Sequence, residues 1–380
     1  MGPAYANHRF TELPSGSSYI LTIDMRGFPL LANAACALFA TIASAAPVAC
    51  PAPGNPIVAT ASTTPSAPAL STVYQFPAGS GAWIENIAER SNGQLLITRM
   101  FTPELWLVDP STGSAKLVYS FPGANSVTGI TPTGNDDEFA VAVGNVDAAT
   151  FTPEAGSWST WKINLSGASA TATLITKLPE AKFLNGMGSF DAGASKGLLI
   201  TDSVVGGIWA VDLATGANSL ALQDNTMLAP AGATFAVGID GFRIKGDYLY
   251  YTVFAGGVLR RINVEYPSAA DLAAGTATLK QIAVEELANT GGSFDDFDVA
   301  TDGTVYVTTN PENTIVEVAA AGGEPTLIAG NAESLALAGA SSALLSKVAS
   351  NVLYVTTSGG VAAPVNGTLS EAGKIMKIVL

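Results

Sequence analysis

The chain has 380 residues, 48% of them hydrophobic and 13% charged, which is typical of a globular protein and excludes a disordered one. Its formal net charge of −14 argues against a surface that binds DNA or RNA phosphates, and no cluster of Lys and Arg offsets that charge. The only histidine is His8, and the two cysteines are Cys36 and Cys50. All three precede the folded part predicted below, which excludes a His-based triad and a His-ligated zinc site there.

The first 46 residues contain a secretion signal that does not begin at residue 1. A signal peptide has a basic start, an apolar run and small residues at the cleavage point, and residues 25–46 follow that order from Arg26 onward. The apolar run is too short to favour a membrane anchor. We therefore predict an upstream extension over 1–24 and a cleaved signal peptide over 25–46.

Residues 47–69 are rich in Pro, Ala, Ser and Thr and predict a flexible leader. Cleavage leaves Cys50 as the single cysteine, so no internal disulfide is expected. Asn164 and Asn366 each begin an N-glycosylation sequon. We expect a secreted glycoprotein.

The rest of the chain repeats one pattern. Residues 85–118 align with 295–328 without gaps, and residues 96–113 align with 199–216. Each unit reads as strand, Gly turn, strand, loop, strand, Asp-x-x-x-Gly turn and strand. The second strand of the unit recurs at 94–98, 139–143, 198–201, 248–252, 304–308 and 352–356. This repetition predicts an all-β, six-bladed β-propeller with four-stranded antiparallel blades over residues 70–380.

The ring has a predicted closure. The fourth strand of the first unit lies in AKLVYSFP, residues 115–122, and a near copy, LSTVYQFP, occupies 70–77. The last unit ends after its third strand. We therefore predict that residues 71–76 form the outer strand of the last blade, whereas an open array would leave that blade one strand short.

Polar residues recur where the inner strands begin. They are Glu85-Asn86, Thr128, Asn185, Asp240, Asp295-Asp296 and, in the sixth unit, Ser334-Leu335. Short polar side chains at such positions serve equally to cap turns and to build a binding site. The long second-to-third-strand loops at 144–159 and 358–373 are expected to form lids or walls over the same channel.

Three segments resemble the senescence-marker-protein/gluconolactonase family of six-bladed propellers: WIENIAERSNGQLLIT, FLNGMGSFD with GLLITDS, and GIDGFRIKGDYLYYT. The resemblance covers most of residues 70–380. It implies a divalent metal, often calcium, held by a Glu, two Asn and an Asp. Glu85, Asn185 and Asp240 match three ligands, and Thr128 stands where the other Asn belongs.

The chain also resembles a fungal secreted branch that includes hetero-Diels–Alder cyclases of tropolonic sesquiterpenoid pathways. The resemblance implies coupling of a quinone methide to a terpene alkene, without a metal or other cofactor, by holding both reactants in place and polarising an oxygen. The expected catalytic donors are Arg99, Asn86, Asn185 and Thr128. The expected substrate-binding residues are Trp83, Phe101, Trp158, Phe183, Phe235, Phe254, Phe294 and Asp295. Aromatic residues at repeated positions also suit packing between blades.

Two other functions stay open. One is a calcium-assisted lactonase or hydrolase that uses Glu85, Asn185 and Asp240, and the other is a non-enzymatic propeller that binds a small molecule. In each case we expect an apolar small-molecule partner, with no nucleic acid and no membrane. The sequence predicts no oligomeric state.

Overall fold

The computed structural model describes residues 68–380. The predicted extension, signal peptide and nearly all of the leader, with His8, Cys36 and Cys50, lie outside the described residues. Among residues 68–380, no helix is both long and apolar enough to cross a bilayer.

Each blade is a four-stranded antiparallel sheet. The chain begins with β1 (Ala69–Gln75), and blade 1 follows with β2 (Trp83–Glu89), β3 (Leu95–Met100), β4 (Glu104–Asp109) and β5 (Ser114–Ser120). Blade 2 starts with β6 (Ser126–Pro132) and β7 (Glu138–Gly144), continues through a hairpin of β8 (Val146–Asp147) and β9 (Thr152–Pro153), and ends with β10 (Ser159–Asn164) and β11 (Thr171–Lys177). Blade 3 contains β12 (Leu184–Asp191), β13 (Lys196–Asp202), β14 (Gly207–Asp212) and β15 (Asn218–Gln223).

Blade 4 contains β16 (Ile239–Lys245), β17 (Tyr248–Val253), β18 (Val258–Glu265) and β19 (Lys280–Asn289). Blade 5 contains β20 (Phe297–Val299), β21 (Val305–Thr309), β22 (Thr314–Val318) and β23 (Thr326–Gly330). Blade 6 contains β24 (Ala340–Leu345), β25 (Val352–Thr357) and β26 (Lys374–Val379). Within the described residues, the helical segments are α1 (Ala269–Ala274) and two 3₁₀ turns, Asn225–Met227 and Leu335–Leu337. The six-bladed propeller predicted from the repeat is confirmed.

The ring closes through β1. This strand pairs antiparallel with β26, from Ala69 opposite Val379 to Gln75 opposite Lys374, and the sheet order is β1-β26-β25-β24. The fourth strand of blade 6 therefore comes from the beginning of the propeller sequence, as the near copy of the outer strand predicted. Closure pairs the edge of β26 that an open ring would leave free.

The hydrophobic core lies between neighbouring blades. One cluster joins Leu96 and Leu105 of blade 1 to Val141 and Ile163 of blade 2, and all four are fully buried. Central strands are thus packed on both faces, which explains why they are almost continuously apolar.

The predicted start of the sixth inner strand was wrong. Ser334 caps a 3₁₀ turn, where its Oγ accepts a hydrogen bond from the backbone N–H of Ala336. The inner strand begins six residues later, at Ala340. A serine before a short apolar run is typical of a helix N-cap as much as of a strand start, so the sequence alone did not separate the two.

Candidate functional site

The inner strands of five blades share an irregularity at one level of the channel. In blade 1 the pairing of β2 with β3 shifts between Ile84 and Ile87. Similar shifts interrupt the other inner strands at Thr128-Gly129, Asn185-Gly186, Asp240-Gly241 and Ser341. A bulge of this kind bends the strand and redirects side chains out of the ladder. The polar residues of the repeat lie where the inner strand departs from regular pairing, because side chains there point out of the sheet.

The glycines of these bulges are required by packing. A Cβ on Gly129 would collide with the carbonyl oxygen of Asn185, and a Cβ on Gly186 would collide with that of Asp240. Each bulge therefore rests directly on the bulge of the next blade, with no room for a side chain. This contact fixes the distance of each polar residue from the channel axis.

Threonines of the second strands satisfy the freed backbone groups. Thr98 Oγ1 donates to the carbonyl oxygen of Thr128 at 2.6 Å, and Thr201 Oγ1 donates to that of Asp240 at 2.8 Å. Both acceptors belong to the following blade. The repeated Thr of the sequence pattern therefore joins neighbouring blades and satisfies buried carbonyl groups.

A cavity of about 460 Å³ opens beside the bulges of the inner strands. That volume lies within the usual range for small-molecule sites, roughly 300–1,000 Å³. Nine of the predicted site residues line it: Trp83, Glu85, Phe101, Phe183, Asn185, Phe235, Asp240, Phe254 and Asp295.

Three carboxyl groups form an acidic cluster in the cavity: Glu85, Asp240 and Asp295. Their exposed fractions are 7%, 3% and 7%. Asn310 Nδ2 donates to Asp295 Oδ2 at 3.1 Å. Within residues 68–380, no Lys or Arg forms an ion pair with any of the three. A negative charge on any of the three would therefore have no basic side chain to compensate it.

Burial is the main influence on the cluster's protonation. It raises the pKa of Glu85 to about 7, an effect that the Trp83 indole opposes and the charge of Asp296 increases. Trp83 Nε1 meets no acceptor at hydrogen-bond geometry, so we assign it only an electrostatic influence. The pKa of Asp240 is raised well above its usual value, mainly by burial and next by the charge of Glu85. The pKa of Asp295 is raised well above its usual value in the same way, mainly by burial and next by the charge of Asp240. The three carboxyl groups therefore keep their protons to higher pH than exposed carboxyl groups do, and each protonated member presents an O–H donor to the cavity.

A fourth carboxyl group, Asp296, is compensated. Arg243 Nη1 lies 3.0 Å from its Oδ1, and both Asn86 Nδ2 and Ser342 Oγ donate to its Oδ2, at 2.9 and 3.0 Å. Asn86 is thus engaged in this buried network and does not line the cavity. It was predicted as a donor to substrate, but the bulge between Ile84 and Ile87 directs Glu85 toward the cavity and Asn86 away from it.

An aromatic wall of Trp83, Phe101 and Phe151 borders the cavity. The ring centroids lie 5.7 Å apart for Trp83 and Phe101, 5.3 Å for Phe101 and Phe151, and 6.0 Å for Trp83 and Phe151. Phe235 and Phe254, 6.2 Å apart, also line the cavity. The site therefore combines flat apolar surfaces with a buried acidic cluster.

Arg99 is not placed where the sequence predicted. It forms an ion pair with Glu104 at 2.6 Å, its guanidinium lies 4.6 Å from the ring centroid of Phe76, and it does not line the cavity. The next residue, Met100, does line it. Alternation along β3 therefore directs Arg99 away from the cavity, so the prediction of a donor there was wrong in position.

Three other predicted residues pack inside the ring. Thr128 Oγ1 donates to the carbonyl oxygen of Leu184 at 2.8 Å, so it faces the next blade. Trp158 and Phe294 are each 1% exposed, and neither lines the cavity. Trp158 Nε1 donates to a backbone carbonyl, and its ring lies 5.6 Å from that of Phe183. The packing interpretation holds for these two aromatic residues.

The metal site implied by the resemblance is incomplete. Glu85, Asn185 and Asp240 share the cavity, but the hydroxyl of Thr128, at the fourth position, donates to the Leu184 carbonyl. Among residues 68–380, no three or more His, Cys, Asp or Glu side chains are arranged to hold a metal ion. The residues present therefore do not fit the family's ligand set.

The predicted glycosylation residues differ in exposure. Asn366 is exposed in a turn, and its backbone φ is 51°. Asn164 is half-buried at the end of β10, and its Oδ1 accepts hydrogen bonds from Ser166.

The prediction did not include every residue of the cavity lining, and Phe151 and Asn310 are among those it missed. Asn310 follows the second strand of blade 5, as Phe254 follows that of blade 4, so the rule that selected Phe254 also selects Asn310. Phe151 lies in the long loop predicted as a lid or wall, where the repeat gives no register.

The fold and site define a six-bladed propeller with a cavity that aromatic and acidic side chains line. No family model matches the chain. It is 27% identical over 230 residues to a protein of Sarocladium schorii named "Putative hetero-Diels-Alderase asR5", covering 52% of this chain and 54% of that one. It is 28% identical over 222 residues to a protein of a Phoma species named "Putative hetero-Diels-Alderase", covering 51% of this chain and 60% of that one. The chain thus spans little more than half the length of the curated relatives it matches.

Solved structures agree on the fold. Luciferin-regenerating enzyme superposes with a TM-score of 0.52 at 12% identity, over 82% of this chain and 95% of that one. Identity this low shows a shared architecture alone.

Proposed function

We propose that this protein is a cyclase-type enzyme that positions a quinone methide and a terpene alkene for hetero-Diels–Alder cycloaddition. Two relatives bear that activity in their names. The observation that carries the proposal is one cavity in which uncompensated, buried carboxyl groups meet flat aromatic surfaces.

The acidic cluster suits the electronic demand of this reaction. A new C–C bond and a new C–O bond form together, and electron density shifts toward the carbonyl oxygen of the quinone methide. A protonated Glu85, Asp240 or Asp295 donates a hydrogen bond to that oxygen and keeps its proton throughout. A donor fixed in a site that excludes water stabilises developing charge more than water does.

The apolar lining suits the entropic demand. Two reactants must meet in one orientation, and holding them so is worth up to about 7–11 kcal/mol of the barrier in well-oriented cases. The aromatic wall and the pair Phe235 and Phe254 offer contacts to a conjugated ring and to an alkene without any polar competitor. Neither reactant requires a nucleophile on the protein.

The test uses an ortho-quinone methide released by light from a 2-(hydroxymethyl)phenol, with a cyclic sesquiterpene triene as partner. Chiral chromatography measures the rate and the enantiomer ratio of the adduct. We expect the wild type to give one enantiomer, and Asp240→Ala to lower the rate on the order of 100-fold. The control Asp302→Ala changes an exposed turn carboxylate and leaves both unchanged. A racemic adduct at the uncatalysed rate would refute the proposal.

A calcium-assisted lactonase is the second candidate, favoured by the shared cavity position of Glu85, Asn185 and Asp240. Calorimetric titration with calcium, with Glu85→Gln as control, separates it from the cyclase. Binding at millimolar calcium that disappears in Glu85→Gln would favour the lactonase. A protein that binds the reactants and returns both unchanged would instead be the small-molecule-binding propeller.

We further propose that the protein acts in the secretory pathway on apolar small molecules and not on nucleic acid. The net charge of −14 and the exposed sequon at Asn366 support this. A shift in electrophoretic mobility after endoglycosidase treatment of the secreted protein tests it, and protein retained unglycosylated in cells would contradict it.

A further inference from the structure

Two cavity residues hold a backbone conformation that phenylalanine rarely adopts. Phe101 has a φ of 62° and Phe151 a φ of 56°, in the left-handed region. The other non-glycine residues with positive φ among residues 68–380 are Asp137, Asn313, Asn351 and Asn366. Asp and Asn tolerate this conformation because their short side chains bond locally, whereas a bulky side chain there is an outlier.

The turn around Phe151 is one that glycine or asparagine would suit better. Asp147 Oδ1 accepts hydrogen bonds from the backbone N–H groups of Ala149 and Thr150, which folds the chain back between β8 and β9. The left-handed residue that follows such a turn is ordinarily Gly or Asn. Nothing in the turn itself favours an aromatic side chain.

Phe101 is held in the same conformation from the neighbouring blade. Its N–H donates to Ser126 Oγ at 3.2 Å, and Ser126 Oγ donates to Asn125 Oδ1 at 3.0 Å. Asn125 Oδ1 also accepts from the N–H of Val146, at 2.8 Å. One hydrogen-bond chain therefore links the Phe101 turn to the hairpin that carries Phe151.

Core packing accounts for the two rings only in part, although both contact the buried cluster that contains Trp83. Phe101 and Phe151 are half-buried, unlike Trp158 or Phe294, and their remaining exposed surface borders the cavity. A strained backbone maintained by surrounding contacts is found mostly at functional sites, where the strain holds a group in place.

We propose that Phe101 and Phe151 determine the specificity of this site by covering one face of a flat, conjugated carbonyl compound. With Trp83 they form the aromatic wall, while the acidic cluster binds the carbonyl oxygen. The second reactant then approaches only from the uncovered face. This inference rests on the proposed function and adds which residues select the product enantiomer.

Phe151→Gly separates this role from a structural one. The change removes the ring and its packing but also relieves the left-handed strain, which offsets part of that loss, so we expect the variant to stay folded with a small change in melting temperature. The enantiomer ratio in the cycloaddition assay is expected to fall by about tenfold or more. Asn351→Gly is the matched control, since it alters a left-handed residue in the exposed turn before β25 and leaves the ratio unchanged.

A lowered melting temperature with an unchanged enantiomer ratio would overturn the inference, because the ring would then serve only the fold. Phe151→Asn provides a second variant that also tolerates the left-handed backbone, and it is expected to lose selectivity to the same extent. Unchanged selectivity in either variant contradicts the inference.

Calorimetry with tropolone, a flat carbonyl compound that does not react, distinguishes this inference from the proposed function. If the wild type gives only racemic adduct, the proposed function fails. Tropolone affinity reduced by about tenfold in Phe151→Gly would still support the role of the wall. Equal affinity in wild type and variant would contradict it.

Discussion

Replacing Glu85 with glutamine should make the protein more stable, by an amount that grows as the pH rises from about 4.5 to about 7 and stays constant above that range. The pKa of Glu85 is raised from 4.5 to about 7, so the folded state keeps a proton that the unfolded state releases between those pH values. Because the folded state binds more protons in this window, stability falls as pH rises through it, by roughly 3 kcal/mol in total at about 1.36 kcal/mol per pKa unit. A glutamine side chain has no charge to bury, so Glu85→Gln avoids this loss.

Urea unfolding at a series of pH values between about 4.5 and 8.5 measures the effect. We expect the variant and wild type to differ least at the acidic end, and Glu85→Gln to be more stable by about 3 kcal/mol at the alkaline end. The stability of the variant still falls somewhat as the pH rises, because the pKa values of Asp240 and Asp295 are raised too. The exposed Glu324→Gln should follow the wild-type curve. Equal stability of Glu85→Gln and wild type at the alkaline end would refute the claim that the cluster is buried and uncompensated.

Three further predictions concern the ring. Arg243→Met leaves Asp296 buried without a counter-ion. It should lower the free energy of unfolding, measured in urea, by about 3–5 kcal/mol. A smaller loss would mean that Asp296 is solvated. Gly186→Ala forces a Cβ onto the Asp240 carbonyl and should lower the melting temperature more than Gly167→Ala, where φ is not positive and a Cβ makes only ordinary contacts. Equal effects would contradict the packing of bulge on bulge. Deleting β1 removes the outer strand of blade 6 and should lower the melting temperature and promote association through the exposed edge of β26, and an unchanged, monodisperse protein would contradict closure.

The fold was predictable because the repeat encodes its own register. Leu-Ile-Thr at 96–98 and 199–201 marks second strands, and the Thr of each donates to the next blade. A near copy of an outer strand at 70–77 could have only one place in a closed ring. These are local signals with one geometric solution, so alternation and turn residues sufficed.

The site was predictable only in part, because side-chain direction depends on details that a repeat does not encode. Bulges direct Glu85 toward the cavity and Asn86 away from it, and strand alternation removes Arg99. Trp158 resembles a cavity residue in sequence, but Gly144 beneath it leaves room for its indole to pack inside blade 2. Phe151 belongs to an inserted hairpin outside the repeat.

The most direct test of the account is a crystal structure of the protein soaked with tropolone. We predict that the ring lies against Phe101 and Phe151, with its oxygen atoms within hydrogen-bond distance of Glu85, Asp240 or Asp295. Tropolone bound elsewhere on the propeller, or an ion occupying the acidic cluster in its place, would contradict the account.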